Sequence, residues 1–369
     1  MYSQNEIDEA VAAGAISAEA ATALRAHIEG QRHLPTPDEE QFRLITGFND
    51  IFVSIAAAIL LFAVGFIGQW IGERTGLAID RGPSFLAPFF VAGTSWTLAL
   101  FFTAKRRMAL PSIILLLAFV GGVLATVGMV LALVVGPESL DNNPQLAGVL
   151  GAASAAVGAV AAWIHWRRFH VPITIAAGAA SVAGIAVALL VAALGQNPEQ
   201  AKNLILGFVL LLGVGTFLFA MWWDSSDRAR LTRRSDVAFW LHLLAAPMIV
   251  HPIFTLLGLN DGTASIGEGL IVVGLYLVMG LTALAIDRRA LLVSALAYVL
   301  FALNELFREF GAVELNVALT ALIIGSALLM LSAFWHQARA VIVRPLPAGL
   351  KDRLPLIDRS TAAIPQPAA

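Results

Sequence analysis

At 369 residues the chain is 59% hydrophobic and only 13% charged, with 23 Lys plus Arg against 25 Asp plus Glu, and its mean hydropathy is +0.81. Soluble domains carry about 25% charged residues, so this composition excludes a soluble globular enzyme and a disordered tail protein; without surplus positive charge to neutralise phosphates, it also excludes a nucleic-acid binder. The absence of Cys removes thiol nucleophiles, thiolate metal sites and disulfides.

The first 40 residues are polar and acidic, without the basic start and apolar run of a cleavable signal peptide, so the N-terminus is expected to stay in the mature chain. Residues 4–30 predict two short helices. Ile7 and Val11 stand four apart before Gly14, which can close the first; Ser17 can cap the second, along which Ala20, Leu24 and Ile28 share a face before Gly30. This amphipathic helical hairpin, residues 1–33, is too short to bury a core alone and calls for a further surface, either the membrane face, the basic loops or a protein partner. Residues 34–50 form a linker leading into the membrane.

Ten apolar stretches then reach the roughly 20 residues that a helix needs to cross a bilayer: 51–72, 84–104, 109–135, 145–165, 171–194, 203–223, 237–259, 267–286, 290–307 and 314–335. The predicted fold is all-α, a polytopic integral membrane protein whose membrane domain spans residues 51–336. Nineteen of the 23 basic residues fall in the N-terminal segment, in the connections after the second, fourth, sixth and eighth spans, and in the tail. Only Arg74, Arg81, Lys202 and Arg308 lie opposite. Retention of positive charge on the cytoplasmic side places both termini there, in a bacterial cytoplasmic (inner) membrane. Trp163, Trp166, Trp222, Trp223 and Trp335 sit beside the basic side, where indoles are expected to meet headgroups. Residues 337–369, with Pro345, Pro347, Pro355, Pro365 and Pro367, predict a Pro-rich cytoplasmic tail of short turns.

Arginine pairs recur in the basic loops, at Arg106-Arg107, Arg167-Arg168, Arg233-Arg234 and Arg288-Arg289, and two continue similarly, as Arg-Arg-Met-Ala-Leu-Pro and Arg-Arg-Phe-His-Val-Pro. Five repeated two-helix hairpins of about 60 residues would give this pattern. So would topology alone, which demands a basic loop every two spans.

The N-terminal run from Asn5 through Gly14-Ala-Ile16-Ser17, its Pro-containing linker and the spans beginning near Gly47-Phe-Asn-Asp-Ile-Phe52 resemble the bacterial predicted-membrane-protein family described as domain of unknown function 2157. Arg-Leu-Pro at 353–355 is similar to that family's tail. The resemblance implies the architecture and adds no chemistry.

Ionisable groups at membrane depth are costly and are therefore candidates for function. In the seventh span His242 and His251 lie nine residues apart, on opposite helix faces, so they cannot share a metal within it. Pro247 and Pro252 predict a kink there. The ninth span ends in Asn304-Glu305 with Arg308 following. Counted from the cytoplasmic side, His251 and Glu305 reach equal depths of roughly 21 to 23 Å at 1.5 Å per residue. His251, Glu305, Asn304 and Arg308 therefore form the candidate polar, proton-responsive site, with local Glu305–Arg308 pairing as the structural alternative. Gln69 can bond across helices. Glu268 suits the N-terminus of the eighth span, and His165, His170 and His336 are expected at the headgroups. Gly68 and Gly72, and Gly151, Ala155 and Ala159, form small-residue stripes for close helix packing.

No Walker loop, zinc-protease motif or nucleophile elbow occurs, and Gly213-Val-Gly215 lacks the third Gly and preceding strand of a nucleotide fingerprint. No catalytic residues, cofactor or metal are expected. The function predicted is a non-enzymatic membrane protein whose N-terminal hairpin binds a cytoplasmic protein partner. The alternative is a secondary transporter of a small solute, with a polar site near the seventh and ninth spans.

Overall fold

The computed structural model describes residues 11, 13–14, 16–23, 48–79, 82–195, 199–228, 230, 232–258, 266–289, 291–292, 296, 300 and 316–356. It divides into two units, Met1–Phe42 with Asp358–Ala369, and Arg43–Ile357. In the first, Gly14 has φ +71° and its N–H donates to the Val11 carbonyl at 3.0 Å. Ser17 Oγ accepts from the Ala20 N–H at 3.0 Å, capping the helical residues 18–23.

The second unit is a succession of helices: α1 (Phe48–Thr75), α2 (Leu86–Phe102), α3 (Ala109–Val135), the short α4 (Pro137–Asp141), α5 (Pro144–Phe169), α6 (Ile173–Leu194), α7 (Lys202–Ser225), α8 (Arg233–Leu256), α9 (Ile266–Ile286), α10 (Asn316–Ala333), α11 (Trp335–Val343) and α12 (Ala348–Lys351). Among the described residues there is no strand, only a bridge between Ala78 and Ser84. Six helices among the described residues, α1, α3, α5, α6, α7 and α8, are long and apolar enough to cross a membrane. The 17-residue α2 and the stretch Leu270–Ile286 of α9 are shorter apolar helices, and α10 turns into α11 through a bend of 74°. Nine of the predicted stretches thus coincide with helices, whereas the ninth, 290–307, falls largely outside the described residues.

Backbone contact at glycines sets the helix crossings. A Cβ on Gly68 would stand 2.5 Å from the Leu86 carbonyl oxygen, one on Gly148 would stand 2.6 Å from the Ala192 nitrogen, and one on Gly213 would stand 2.8 Å from the Met248 carbonyl carbon. The predicted stripe at Gly68 and Gly72 thus serves packing within one chain. The tight point of α5 is Gly148 rather than Gly151, which would meet only the Ala188 side chain at 3.6 Å. Helix α8 continues through Pro247 and Pro252 without a break.

The closest partnerships join α2 to α3, α5 to α6 and α7 to α8, the helices linked by Arg-bearing turns. The packing unit is therefore offset by one helix from the predicted hairpin. A second regularity marks the same turns. Arg107, His170, Arg230 and Asp287 have φ of 53°, 54°, 56° and 57°, while the alternate turns use Gly76, Gly136, Gly195 and Gly258 at 71°, 90°, 60° and 72°. Left-handed backbone is uncommon for a residue bearing a Cβ, yet each of these four connections contains one.

Gln69 ties the α1–α2 turn. Its Oε1 accepts from the Ser84 N–H at 2.7 Å, and its Nε2 donates to the Gly82 carbonyl at 3.1 Å and to Glu73 Oε1 at 2.8 Å. The residue bonds to the turn before α2 and to its own helix, where a bond across helices was expected.

Candidate functional site

Charge gathers where α7, α8, α9 and α11 end or begin. Asp224 lies at the C-terminal end of α7 and is fully buried, although the predicted sixth span stopped one residue before it. The turn to α8 is organised by Asp227, whose Oδ2 accepts from the Thr232 N–H at 2.9 Å and its hydroxyl at 2.6 Å. Thr232 Oγ1 in turn accepts from the Arg234 N–H, so α8 starts on a side-chain cap. At the end of α9 the Asp287 N–H donates to the Leu284 carbonyl and the Arg288 N–H to Ala283. That pair of bonds is a Schellman closure with Asp in the left-handed position where Gly is usual.

The closure directs two neighbouring side chains to different partners. Arg288 forks onto Asp224, with Nη2 on Oδ1 and Nε 3.0 Å from Oδ2, and Nη2 also donates to the Ser235 carbonyl at 3.0 Å. His242 Nε2 lies 3.2 Å from the same Asp224 Oδ2, and Phe217 meets its ring edge-on at 5.2 Å. Asp287 takes Arg230 Nη1 on Oδ2 at 2.9 Å and the Trp335 indole N–H on Oδ1 at 2.7 Å, with Arg339 Nε 3.9 Å from Oδ1. Arg230 Nη2 donates to the carbonyls of Ile286 and Asp287, placing a cation on the negative end of α9. Three guanidiniums and two carboxylates are thus buried together, Arg230, Arg288 and Arg339 each at 2% exposure.

The segment after α11 closes over this cluster. Arg228 donates through Nε to the Leu354 carbonyl at 2.9 Å and through Nη2 to Lys351 at 3.0 Å. Arg339 donates to Leu356 at 3.1 Å and to Pro355 at 2.6 Å. Leu354 and Val343 are buried in an apolar cluster with Trp335, Ile286 and Leu291. Where the sequence predicted short turns near the headgroups followed by disorder, the chain forms the nine-residue α11 and residues up to 356 then pack on the helix ends.

Several expectations change. Arg230 and Arg288, counted only as basic residues of the cytoplasmic connections, are buried ion-pair partners. Trp335 is buried and bonded to Asp287 rather than set at the headgroups; Trp163 and Trp222 do remain exposed, at 59% and 62%. His165 is also fully buried, within a cage of Trp96, Phe119 and Phe169, its Nδ1 3.3 Å from Thr174 Oγ1. His170 is exposed and His336 half-buried.

His251 is exposed while His242 is buried, as opposite faces of one helix require. Its predicted partners Glu305, Asn304 and Arg308 lie outside the described residues, as does the Glu268 side chain. Beside His251, Val250 and Phe254 pack on Val272 and Ile324. Among the described residues no three His, Asp or Glu side chains stand where they could hold a metal.

Sequence reasoning missed the cluster because its members are distributed over turns. A signal existed: the basic-side loops near 105–107 and 167–170 contain no acidic residue, whereas those at 224–236 and 287–289 contain Asp224, Asp227, Asp236 and Asp287. Comparison of the chain with protein-family models, curated proteins and solved structures gives no match.

Proposed function

We propose that this is a ten-span protein of a bacterial cytoplasmic membrane, with both termini on the basic, cytoplasmic side, in a non-enzymatic role served by a partner-binding N-terminal hairpin at residues 1–33. The observation that carries the reading is the use of the buried charges: Asp224, Asp287, Arg230 and Arg288 bond to one another and to main-chain carbonyls, which is how a framework is fastened. The resemblance of the N-terminal run to a bacterial membrane-protein family supports the same architecture. The left-handed residue in each of the four Arg-bearing connections supports a repeated helix pair. Removal of residues 1–33 is expected to abolish capture of the partner from membranes while the membrane body keeps its melting behaviour; an unchanged set of co-purifying proteins overturns the assignment.

A second reading, secondary transport of a small solute with a polar site near the seventh and ninth predicted spans, is favoured by the two prolines inside α8, Pro247 and Pro252, on the helix that carries His251, since each removes a helix hydrogen bond and frees a carbonyl. The two readings differ at His251. Because the chain has no Cys, His251→Cys supplies a single reporter within α8. A membrane-impermeant thiol reagent is expected to leave it unlabelled in a sealed bilayer. Rapid labelling would reveal a water path at that depth and favour transport.

A further inference from the structure

The guanidiniums of Arg228 and Arg339 hold an unusual pair of partners. Each presents two N–H groups in a fork whose spacing matches the oxygens of a carboxylate or phosphate. Each fork instead grips two main-chain carbonyls of one short segment: Lys351 and Leu354 for Arg228, Pro355 and Leu356 for Arg339. The nearest carboxylates stand further off, Asp352 at 4.0 Å from Arg228 and Asp287 at 3.9 Å from Arg339, and the carbonyls in the forks bring only partial charge, so a phosphate in their place would add Coulomb attraction. The segment is short and contains Pro355, which has no N–H to contribute.

We propose that residues 351–356 are a displaceable strap occupying an oxyanion-binding pair of guanidiniums, and that the ligand for which the strap stands in is the phosphate of an anionic phospholipid headgroup. Location selects the lipid. The forks lie beyond the ends of α7 and α9, at the level where a spanning helix meets the headgroup layer. Arg228 is 34% exposed and its ion-pair neighbour Asp352 is 75% exposed, at 4.0 Å, so the outer fork can be reached without opening the core. Leu354 shares an apolar cluster with Trp335, whose indole is bonded to Asp287, so release of the strap would also loosen the cluster that fastens α9 to the α7–α8 turn. The proposal rests on the membrane reading, and failure of that reading would appear separately, as failure of the chain to insert into bilayers of any composition.

Leu354 belongs to the strap and is 5% exposed, packed in the apolar cluster with Trp335 and Val343, so Leu354→Cys, in a chain otherwise free of Cys, reports the strap's release. The full chain carrying this substitution is reconstituted into phosphatidylcholine bilayers with or without phosphatidylglycerol, and its reaction with a soluble maleimide is timed. Phosphatidylglycerol is expected to speed labelling about tenfold, the change given by a 1.4 kcal/mol shift in the strap equilibrium. Adding Arg228→Gln and Arg339→Gln is expected to make labelling fast and indifferent to lipid. Equal rates in the two bilayers overturn the proposal. So does an equal acceleration by inorganic phosphate in phosphatidylcholine alone, which would make the ligand a soluble anion. If Leu354→Cys does not fold, hydrogen exchange of the 348–356 amides in the unmodified chain decides the same question: lipid-dependent loss of protection supports the strap, and unchanged protection overturns it.

Discussion

Asp224→Ala is expected to destabilise the membrane body by about 3–5 kcal/mol, the range for removing one partner of a buried ion pair, measured as a shift in reversible unfolding in mixed detergent micelles. The magnitude follows from what would be left behind. Arg288 is 2% exposed and Asp224 is fully buried. Without the carboxylate, the guanidinium would keep acceptors such as the Ser235 carbonyl and hydroxyl but lose the charge that its fork grips, and His242 Nε2 would lose its Asp224 oxygen. Asp224→Asn is expected to fall between wild type and Ala, because the amide oxygen can still accept one bond. The companion change discriminates the mechanism. Asp224→Leu combined with Arg288→Met removes both charges and should recover most of the loss, since a hydrophobic replacement of similar volume is often neutral or stabilising at such sites. A double variant no better than Asp224→Ala would mean that the site depends on its shape or on Ser235, and not on an uncompensated charge.

The same pair shows what a sequence can and cannot reveal. The helices were legible because crossing a bilayer demands about 20 consecutive apolar residues, a local property: α3, α5, α6, α7 and α8 fall where the apolar runs do. Gln69 was legible as a residue with a bond to make, because a lone amide in an apolar run must find a partner. Asp224 and Arg288 are 64 positions apart, and nothing local links them. A loop Arg and a buried Arg have the same letter, so counting basic residues by side of the membrane put both classes into one sum. The Schellman closure at Asp287 was equally hidden, since the usual marker of such an end is Gly, and the four left-handed residues in the Arg-bearing turns are three different residue types. Composition identified the solvent of the helices; the fastening between them depends on which few side chains turn inward at their ends.

Substitutions at Asp287 separate charge from backbone at one of those ends. Asp287 has φ +57°, receives Arg230 and Trp335 on its two oxygens and is 6% exposed. Asn tolerates left-handed backbone at least as well as Asp, so Asp287→Asn removes the charge while keeping the turn. Asp287→Gly removes the side chain altogether and is free of left-handed strain. Asp287→Ala removes the carboxylate but keeps the Cβ, and with it about 1–2 kcal/mol of left-handed strain from which Gly is free. The expected order of stability is therefore wild type, Asn, Gly, Ala, with Asp287→Ala approaching or exceeding the roughly 3–5 kcal/mol of a broken buried pair. The gap between Gly and Ala measures the strain, and the gap between wild type and Asn measures the charge. Trp335 supplies an independent readout. Its indole N–H donates to Asp287 and Arg289 lies 4.9 Å over its ring, so each variant should change hydrogen exchange at the start of α11 in the same order. If Gly proved less stable than Ala, the left-handed turn would be costing nothing, and the closure of α9 would owe its form to packing against α11 alone.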